Sequence, residues 1–372
     1  MHVEELELFQ FRNITHLELK CPEALHLFVG PNAQGKTNIL ESLYLLSIGK
    51  SHRTRKDKEM IRWEETAAKV KARVAGEHGS HRLEVRLTPQ GKKVVKNGLE
   101  QRRLSEYIGT LTAVLFAPED LTIIKGSPQV RRRFIDMEIG QVSPAYIYNL
   151  TRYHKLLTQR NHLLKEMSKR RQRENPLLDV LDEQLIELST HLWKKRTAFI
   201  RLLARWAGDI HQSITQGRET LSIDYQPSVP VEEEADAGEF QTALVRELAR
   251  LRGQEIQRGS TLVGPHRDDL RLFAEGVDLH RYGSQGQQRT AALSLKLAEI
   301  ELIRQETGTY PILLLDDVLS ELDDFRKTHL LEAIRGKVQT FVTATGLEGI
   351  DRETRERARI YGVRQGRISE QR

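Results

Sequence analysis

Residues 30–37 read Gly-Pro-Asn-Ala-Gln-Gly-Lys-Thr, and this stretch decides the fold of the chain. A short apolar run, residues 25–29, precedes it, and a segment with apolar residues at helical spacing, residues 38–48, follows it. A loop of this pattern between a buried strand and a helix is a P-loop, whose backbone N–H groups and helix N-terminus surround phosphates. The segment therefore predicts an α/β fold with a site for a nucleoside triphosphate.

Each part of this loop has a predicted task. Gly30 and Gly35 allow the backbone to turn and to approach the phosphates closely. We expect Lys36 to place its charge on the β- and γ-phosphates and Thr37 to offer its hydroxyl to Mg²⁺. The predicted cofactors are ATP and Mg²⁺, and the predicted nucleotide-binding residues of the loop are Gly30, Pro31, Asn32, Ala33, Gln34, Gly35, Lys36 and Thr37.

A second motif lies at residues 312–317, where four apolar residues precede two aspartates. The pattern indicates a buried strand that ends in a carboxylate beside the P-loop. There Asp316 would bind Mg²⁺ together with Thr37. Asp317 would then orient the attacking water, and Asp316 and Lys36 complete the predicted catalytic set. The alternative is a core strand that ends in solvated acids, but the presence of the P-loop favours the catalytic interpretation.

A third motif, residues 282–288, opens a helix over residues 289–303, and Ser-Glu-Leu-Asp at residues 320–323 follows the acidic strand. This order and spacing resemble the signature motif and D-loop of ABC-type ATPases. The resemblance implies that Ser284, Gly286 and Gln287 contact the γ-phosphate of a nucleotide bound by the other protomer. It thus implies an ATP-dependent, head-to-head homodimer, whereas the third motif alone could be only a helix cap.

The rest of the chain predicts a divided head. Strands are predicted at residues 2–9, 14–19 and 25–29, followed by an antiparallel meander over residues 69–96. Helical patterns dominate the middle third, with breaks at Ser143-Pro144 and Asn175-Pro176, and short strands return after residue 261. We therefore predict an ABC-type P-loop ATPase head (1–118 and 261–372), with a mixed sheet and an antiparallel sheet, and an inserted, mainly α-helical lobe (119–260) leading to the signature motif.

Composition narrows the functional classes. The chain of 372 residues has a formal net charge of +6, and basic residues cluster at 50–58, 131–133 and 169–173. Such clusters suit a polyanion, although each could equally be a solvated face. The longest apolar runs fall short of the roughly 18 residues of a membrane helix. The single cysteine, Cys21, excludes an internal disulfide and fits a reducing compartment, so we expect a cytoplasmic protein that does not bind membranes.

Several segments together resemble the bacterial RecF family of ABC-type ATPases, related to SMC proteins: residues 11–13, 30–37, 116–120, 264–269, 284–288 and 315–323. Of these, the segment Gly-Pro-His-Arg-Asp-Asp at 264–269 is the most family-specific, because SMC heads share the ATPase motifs but not this segment. The P-loop and the signature are also too close in sequence for the long coiled coil of SMC proteins.

The resemblance implies a function. It implies ATP-driven dimerisation on single-stranded, double-stranded or gapped DNA, weak DNA-stimulated ATP hydrolysis, and joint action with RecR and RecO to load the RecA recombinase at gaps and support the SOS response. Arg12 and Asn13 are candidate nucleotide contacts, and Arg267 a candidate residue of the dimer or DNA surface. Structural salt bridges are an equally expected role for the two arginines.

The chain departs from the ABC pattern at three positions. Asp317 replaces the glutamate that follows the magnesium-binding aspartate, Glu119 replaces a glutamine, and Ala344 or Thr345 replaces a histidine. Aspartate is one methylene shorter than glutamate, so we expect slow hydrolysis that acts as a timer. Two alternatives remain at this point, the nucleotide-binding subunit of a membrane transporter and a DNA scaffold for which ATP is only a ligand.

Overall fold

The computed structural model describes residues 1–22, 25–54, 56–76, 79–232, 234–320, 326–327, 330, 336–347 and 352–371. The strands in these ranges are β1 (His2–Phe11), β2 (Ile14–Lys20), β3 (Leu25–Val29), β4 (Ala68–Gly76), β5 (Gly79–Thr88), β6 (Gly91–Lys96), β7 (Leu99–Glu100), β8 (Ala113–Phe116), β9 (Leu221–Gln226), β10 (Asp269–Ala274), β11 (Val277–Asp278), β12 (Ile312–Asp316), β13 (Thr340–Ala344), β14 (Arg359–Arg364) and β15 (Arg367–Gln371). The helices are α1 (Lys36–Ile48), α2 (Leu121–Lys125), α3 (Pro128–Val142), α4 (Pro144–Arg170), α5 (Pro176–Thr215), α6 (Ala237–Arg258), α7 (Gln285–Thr307) and α8 (Arg352–Arg357).

A mixed sheet forms the centre of the head, in the order β15-β14-β3-β13-β12-β8. Its strands from β14 to β8 are parallel, and β15 pairs with β14 as an antiparallel edge. Strand β12 is buried along its whole length, which explains its unbroken apolar run. Because β3 and β12 both border β13 and run in the same direction, the P-loop after β3 and the acidic end of β12 meet at one edge of the sheet.

The second sheet of the head is antiparallel, in the order β2-β1-β4-β5-β6-β7. The predicted meander supplies β4 to β6, and the turn at Asn97-Gly98 continues it into β7. Helix α1 lies between the two sheets and buries Leu40 and Leu43 completely. The predicted combination of a mixed sheet and an antiparallel sheet is confirmed.

Long helices form the lobe, and their starts are set by the predicted breaks. The Ser143 side chain accepts a hydrogen bond from Tyr146 N at the start of α4, and Asn175 Oδ1 accepts one from Leu177 N at the start of α5. In each case a proline is the first helical residue. The ring of Trp193 on α5 stacks on Phe240 of α6 at 4.5 Å, inside the lobe core. Within the described ranges, no helix is both long enough and apolar enough to cross a membrane.

The pairing of strand β9 bears on the predicted lobe boundary at residue 260, which stays a prediction. Strand β9, which the sequence patterns did not indicate, lies before this boundary and forms an antiparallel ladder with β10 behind it. Leu270 and Leu272 of β10 are buried in the same core as α5. A boundary at residue 260 would cut both the ladder and this core, so we propose that the lobe extends through β11. The edge strand β15 was not predicted either.

Candidate functional site

The P-loop joins β3 to α1, and its lysine points back over the loop. Lys36 Nζ donates hydrogen bonds to the carbonyl oxygens of Gly30 at 2.6 Å and Pro31 at 2.9 Å. Burial lowers the pKa of Lys36, while the nearby carboxylates of Asp317 and Asp316 favour its charged form. The ammonium group is therefore held over the loop's main chain, close to two acidic side chains.

The two acidic motif residues lie beside the loop, as the sheet order requires. Thr37 Oγ1 donates to Asp316 Oδ1 at 2.9 Å, and the hydroxyl of Thr343, on the intervening strand β13, donates to the same oxygen at 2.8 Å. The backbone N–H of Asp317 donates to Thr343 Oγ1 at 2.9 Å, and Asp317 has a left-handed backbone with φ of 54°. Thr343 thus connects both aspartates and is a site residue that the sequence did not reveal.

Hydrogen bonds from a distant part of the chain hold the loop in place. The N–H groups of Gln365 and Gly366, in the turn between β14 and β15, donate to Gln34 Oε1 and Gln34 O, both at 2.8 Å. A Cβ atom on Gly30 would lie 2.4 Å from the carbonyl oxygen of Val363. This close approach explains the need for glycine at the first position of the loop.

Asn13 supports the loop from the other side. Its Nδ2 donates to Gln34 O at 3.0 Å, and its Oδ1 accepts from Asn38 Nδ2 at 2.8 Å. Gly35 has φ of 108°, and a Cβ on it would lie 2.5 Å from Asn13 Oδ1. Asn13 therefore fits closely against the turn that begins α1, and its predicted contact with the nucleotide stays a prediction.

Arg12 forms a salt bridge, which was the alternative to a nucleotide contact. Its Nε and Nη2 donate to the two carboxylate oxygens of Glu41 at 2.9 and 2.6 Å, and its Nη1 donates to Glu59 O at 2.7 Å. Burial raises the pKa of Glu41, but hydrogen bonds from Arg12 and Ser51 outweigh this effect and hold it below its usual range. The hydrogen bonds to Glu41 therefore hold α1 in place.

The signature motif begins α7. Ser284 is the N-cap: its hydroxyl accepts from Gln287 N at 3.2 Å, and Gln287 Oε1 accepts from Ser284 N at 3.0 Å. Ser284 and Gly286 are exposed, while Gln287 is partly buried and reaches Glu219 at 3.2 Å. An exposed helix N-terminus with this cap is compatible with a γ-phosphate contact across a dimer. Of the D-loop, residues 321–323 and the side chain of Ser320 lie outside the described part of the chain.

Comparison with known proteins shows the family. The family model of the RecF/RecN/SMC N-terminal domain matches residues 2–369. The chain is 53% identical over 368 residues to the DNA replication and repair protein RecF of Halalkalibacterium halodurans, and 50% identical over 368 residues to that of Bacillus subtilis. These alignments cover 99% of this chain and 99% and 100% of the two relatives. The chain belongs to the RecF family.

Solved structures agree with this assignment. The fold is similar to that of the recombination mediator protein RecF with ATP in the RecFOR pathway, with a TM-score of 0.93, 34% identity, and coverage of 100% of this chain and 98% of that one. It also shares its fold with an Smc head bound to the winged-helix domain of ScpA, at a TM-score of 0.55 and 16% identity over 100% of this chain and 98% of that one.

Residues 264–269, the segment expected to be the most family-specific, contact the helices of the lobe. Arg196 is buried and donates to Asp268 Oδ2 at 3.2 Å and to Asp136 Oδ1 at 2.8 Å. Arg131 forms a bidentate salt bridge with Asp269, in which its Nε and Nη2 donate to Oδ1 and Oδ2 at 2.7 and 2.9 Å. This segment is therefore an anchor between β10, α3 and α5. Arg131 belongs to a predicted basic cluster, but it is buried in an ion pair, so its role is structural.

The remaining predicted positions lie around the site. Glu119 is exposed in the turn after β8, and the next residue, Asp120, accepts a hydrogen bond from Ala117 N at 2.8 Å. Ala344 ends β13 and accepts from Gly30 N at 3.3 Å, and Thr345 is exposed. Arg267 is exposed and donates to Thr261 O at 3.0 Å, and its predicted role at the dimer or DNA surface stays a prediction.

Proposed function

We propose that the chain binds ATP with Mg²⁺ at the edge of the mixed sheet. The observation that carries this proposal is the 2.9 Å hydrogen bond from Thr37 Oγ1 to Asp316 Oδ1, beside the P-loop lysine. A hydroxyl and a carboxylate are oxygen ligands of the kind that Mg²⁺ takes, so the residues present fit the ion. Mg²⁺ bound with the triphosphate would neutralise charge that develops on the β- and γ-oxygens.

The protein residues have separate tasks in this proposal. The backbone N–H groups of residues 32–37 and the N-terminus of α1 bind the phosphates. When the nucleotide binds, Lys36 exchanges its hydrogen bonds to the carbonyl oxygens of Gly30 and Pro31 for contacts with the β- and γ-phosphates. Asp317 orients the attacking water. The hydrogen bond from the backbone N–H of Asp317 to the hydroxyl of Thr343 fixes the position of Asp317. Because this acid is the shorter aspartate, we propose slow hydrolysis that acts as a timer of the ATP-bound state.

We further propose that ATP drives a head-to-head homodimer. The N-terminus of α7, with Ser284, Gly286 and Gln287, would then face the γ-phosphate bound by the other protomer. The exposure of Ser284 and Gly286 supports this role, because exposed residues at a helix N-terminus can reach a second molecule. The capping box already orients the serine hydroxyl and the first N–H groups of the helix.

The biological role that we propose is ATP-dependent DNA binding in recombinational repair and at replication forks. It is supported by full-length relatives described as DNA replication and repair proteins, and by the similar structure from the RecFOR pathway. On this proposal the dimer binds single-stranded, double-stranded or gapped DNA, acts with RecR and RecO, helps to load RecA at gaps and supports the SOS response. We expect it to do so in the cytoplasm.

Two measurements on the full chain test the proposal. Phosphate release is measured with and without gapped DNA, and the oligomeric state is followed by light scattering with ATP. We expect slow, DNA-stimulated release and an ATP-dependent dimer, and loss of both in Lys36→Ala. A matched control is Lys93→Ala, an exposed lysine paired with Glu100, which should behave like the wild type. ATP binding without any phosphate release above the Lys36→Ala background would instead support the scaffold alternative.

The transporter alternative predicts association with a membrane-embedded partner. The transporter alternative is not favoured, because the two relatives described above match 99% of this chain and are RecF proteins.

A further inference from the structure

A large cleft lies between the head and the lobe, at the end of α1 opposite the P-loop. It encloses about 790 Å³ and is lined by the segment after α1, by α3 and α4, and by His266 of the 264–269 segment. Helix α1 has 13 residues, which corresponds to roughly 18 Å at 1.5 Å per residue, so the cleft is separate from the nucleotide site.

Positive charge is in excess in this cleft. Lys92 is paired with Asp57 at 3.1 Å, and Arg196 with Asp136, so these cations are compensated. Lys50, Arg132 and Arg133, in contrast, form no ion pair with any carboxylate in the described part of the chain. Arg132 donates one hydrogen bond to Asp268 O at 2.6 Å, and Arg133 one to Ser51 O at 3.3 Å. Most N–H groups of the two guanidinium groups therefore remain available.

Neighbouring cations lower the pKa values of Lys50 and Arg132. Desolvation in the cleft lowers the pKa of Lys50, and the positive charges of Lys92 and Arg133 lower it further. Burial likewise lowers the pKa of Arg132, with a further contribution from Arg196. Like charges crowded into a partly desolvated cleft are unfavourable without a counter-charge. A bound anion would relieve this repulsion.

The two histidines of the cleft do not contribute charge. Burial lowers the pKa of His266 to about 4, and its Nε2 lies 3.2 Å from Thr261 O while its Nδ1 lies 2.6 Å from Tyr153 Oη. The neutral ring thus donates from Nε2 and accepts from the tyrosine. Burial lowers the pKa of His154 as well. The charge excess rests on lysine and arginine, so it persists across the physiological pH range.

The lining of the cleft also has an apolar part, and its aliphatic side chains are Ile48, Leu104, Ile108, Met137, Ile147 and Leu150. A lining that combines cationic and aliphatic side chains suits a ligand that carries both phosphate and a less polar group. The volume falls within the roughly 300–1,000 Å³ of small-molecule sites. Guanidinium groups bind phosphate oxygens with two parallel hydrogen bonds, and a phosphate monoester offers several cations more negative charge and more acceptor oxygens than a single carboxylate does.

We propose that this cleft is a second binding site, for the phosphate of a nucleotide-sized ligand. The phosphate could belong to a free nucleotide or to the 5′ end of a single DNA strand. Only the strand form rests on the proposed function in DNA binding, and neither form rests on ATP hydrolysis. The 264–269 segment then has a purpose beyond lobe packing, because Asp268 orients Arg132 and Arg196 at the back of the cleft.

The experiment uses the full chain and calorimetric titration with two probes that lack a triphosphate, adenosine 3′,5′-bisphosphate and 5′-phosphorylated hexathymidylate. The double variant Lys50→Gln/Arg133→Gln should bind the probe at least tenfold more weakly than the wild type. The matched control is Lys169→Gln/Arg170→Gln, which removes the same charges from exposed residues near Glu166 and should change the affinity less than twofold. Binding of only one probe identifies the source of the phosphate.

Two further measurements separate this site from the P-loop. The cleft variant should bind ATP like the wild type, whereas Lys36→Ala should lose ATP and still bind the phosphate probes. A failure of ATP binding in the wild type would contradict the proposed function but not the cleft. The cleft proposal is overturned if neither probe binds, if the double variant binds both as well as the wild type, or if a polyglutamate peptide competes as strongly as the phosphate probes.

Discussion

Arg12 Nε and Nη2 bind the two carboxylate oxygens of Glu41 at 2.9 and 2.6 Å, and Glu41 is fully buried in α1. This pair links the turn after β1, in the antiparallel sheet, to the helix that follows the P-loop. Because a buried charge without its partner is costly, the link makes the position of α1 depend on a residue far away in sequence.

The first prediction concerns this pair. Glu41→Gln should lower the free energy of unfolding by about 3 to 5 kcal/mol, since it leaves Arg12 uncompensated. Urea unfolding followed by circular dichroism measures the loss. The matched control is Glu7→Gln, whose salt bridge with Lys71 is partly exposed and should contribute at most about 1 kcal/mol. Equal effects of the two substitutions would show that burial does not strengthen the Arg12–Glu41 pair.

The same pair has a pH dependence with a definite sign. The pKa of Glu41 is lower in the folded than in the unfolded protein, where it is about 4.3. Its contribution to stability is therefore complete above the unfolded pKa and is lost as the pH falls through the folded pKa. The difference in stability between wild type and Glu41→Gln should shrink as the pH is lowered below about 4.3.

The sequence predicted those parts of the site that are local. The P-loop and the strand that ends in Asp316 each lie within a few consecutive residues, and the order of parallel strands brings them together. Arg12 could not be assigned in the same way, because its partner is 29 positions away and a glutamate in an amphipathic helix usually faces solvent. Thr343 gave no signal either, since threonine is common in strands.

The lobe shows the same limit. Proline and N-cap residues mark the starts of α4 and α5, so the long helices were predictable. Strand β9 was not, because its stability comes from pairing with β10, which lies more than forty residues later. The ion pairs of Arg131 and Arg196 likewise connect distant segments. A run of arginines in the sequence therefore does not distinguish an exposed polyanion site from a buried structural network.

The second prediction tests Thr343, the residue between the two aspartates. Thr343→Val keeps the shape but removes the hydroxyl that accepts from Asp317 N, so a partly buried N–H loses this partner. We expect a loss of about 1 to 3 kcal/mol in unfolding free energy and slower phosphate release with little change in ATP affinity. Thr343→Ser keeps the hydroxyl and is the control. If valine and serine variants release phosphate at the wild-type rate, Thr343 does not position Asp317.

The third prediction separates binding from hydrolysis. Asp317→Asn preserves size but removes the charge that orients water, so ATP binding should persist while phosphate release falls at least tenfold. The ATP-bound dimer should last longer, as size-exclusion chromatography can show. Asp224→Asn, in the lobe strand β9, is a matched control and should hydrolyse ATP normally. Wild-type turnover in Asp317→Asn would move the catalytic role to Asp316 or to a residue of the lobe.

The fourth prediction concerns DNA and rests on electrostatics. If lysine and arginine side chains contact phosphates, the logarithm of the binding constant should fall linearly with the logarithm of salt concentration. The expected slope is roughly −0.7 to −0.9 per phosphate contacted, with little dependence on base sequence. Fluorescence anisotropy with duplex, single-stranded and gapped DNA gives the slopes. A slope near zero, or a strong preference among base sequences, would contradict phosphate contacts as the main source of affinity.

The last prediction tests whether the signature motif acts across a dimer. Ser284 is exposed at the start of α7, so Ser284→Arg would place a bulky cation at the γ-phosphate of the partner without disturbing the P-loop of its own chain. The variant should bind ATP as a monomer with wild-type affinity, yet fail to dimerise and lose the gain in DNA affinity that ATP gives. Ser284→Thr keeps the capping hydroxyl and should retain both properties. Because the two measurements follow dimerisation and DNA binding separately, they also show whether one depends on the other. If the Ser284→Arg variant still dimerises with ATP and binds DNA like the wild type, the nucleotide site is not shared between two protomers.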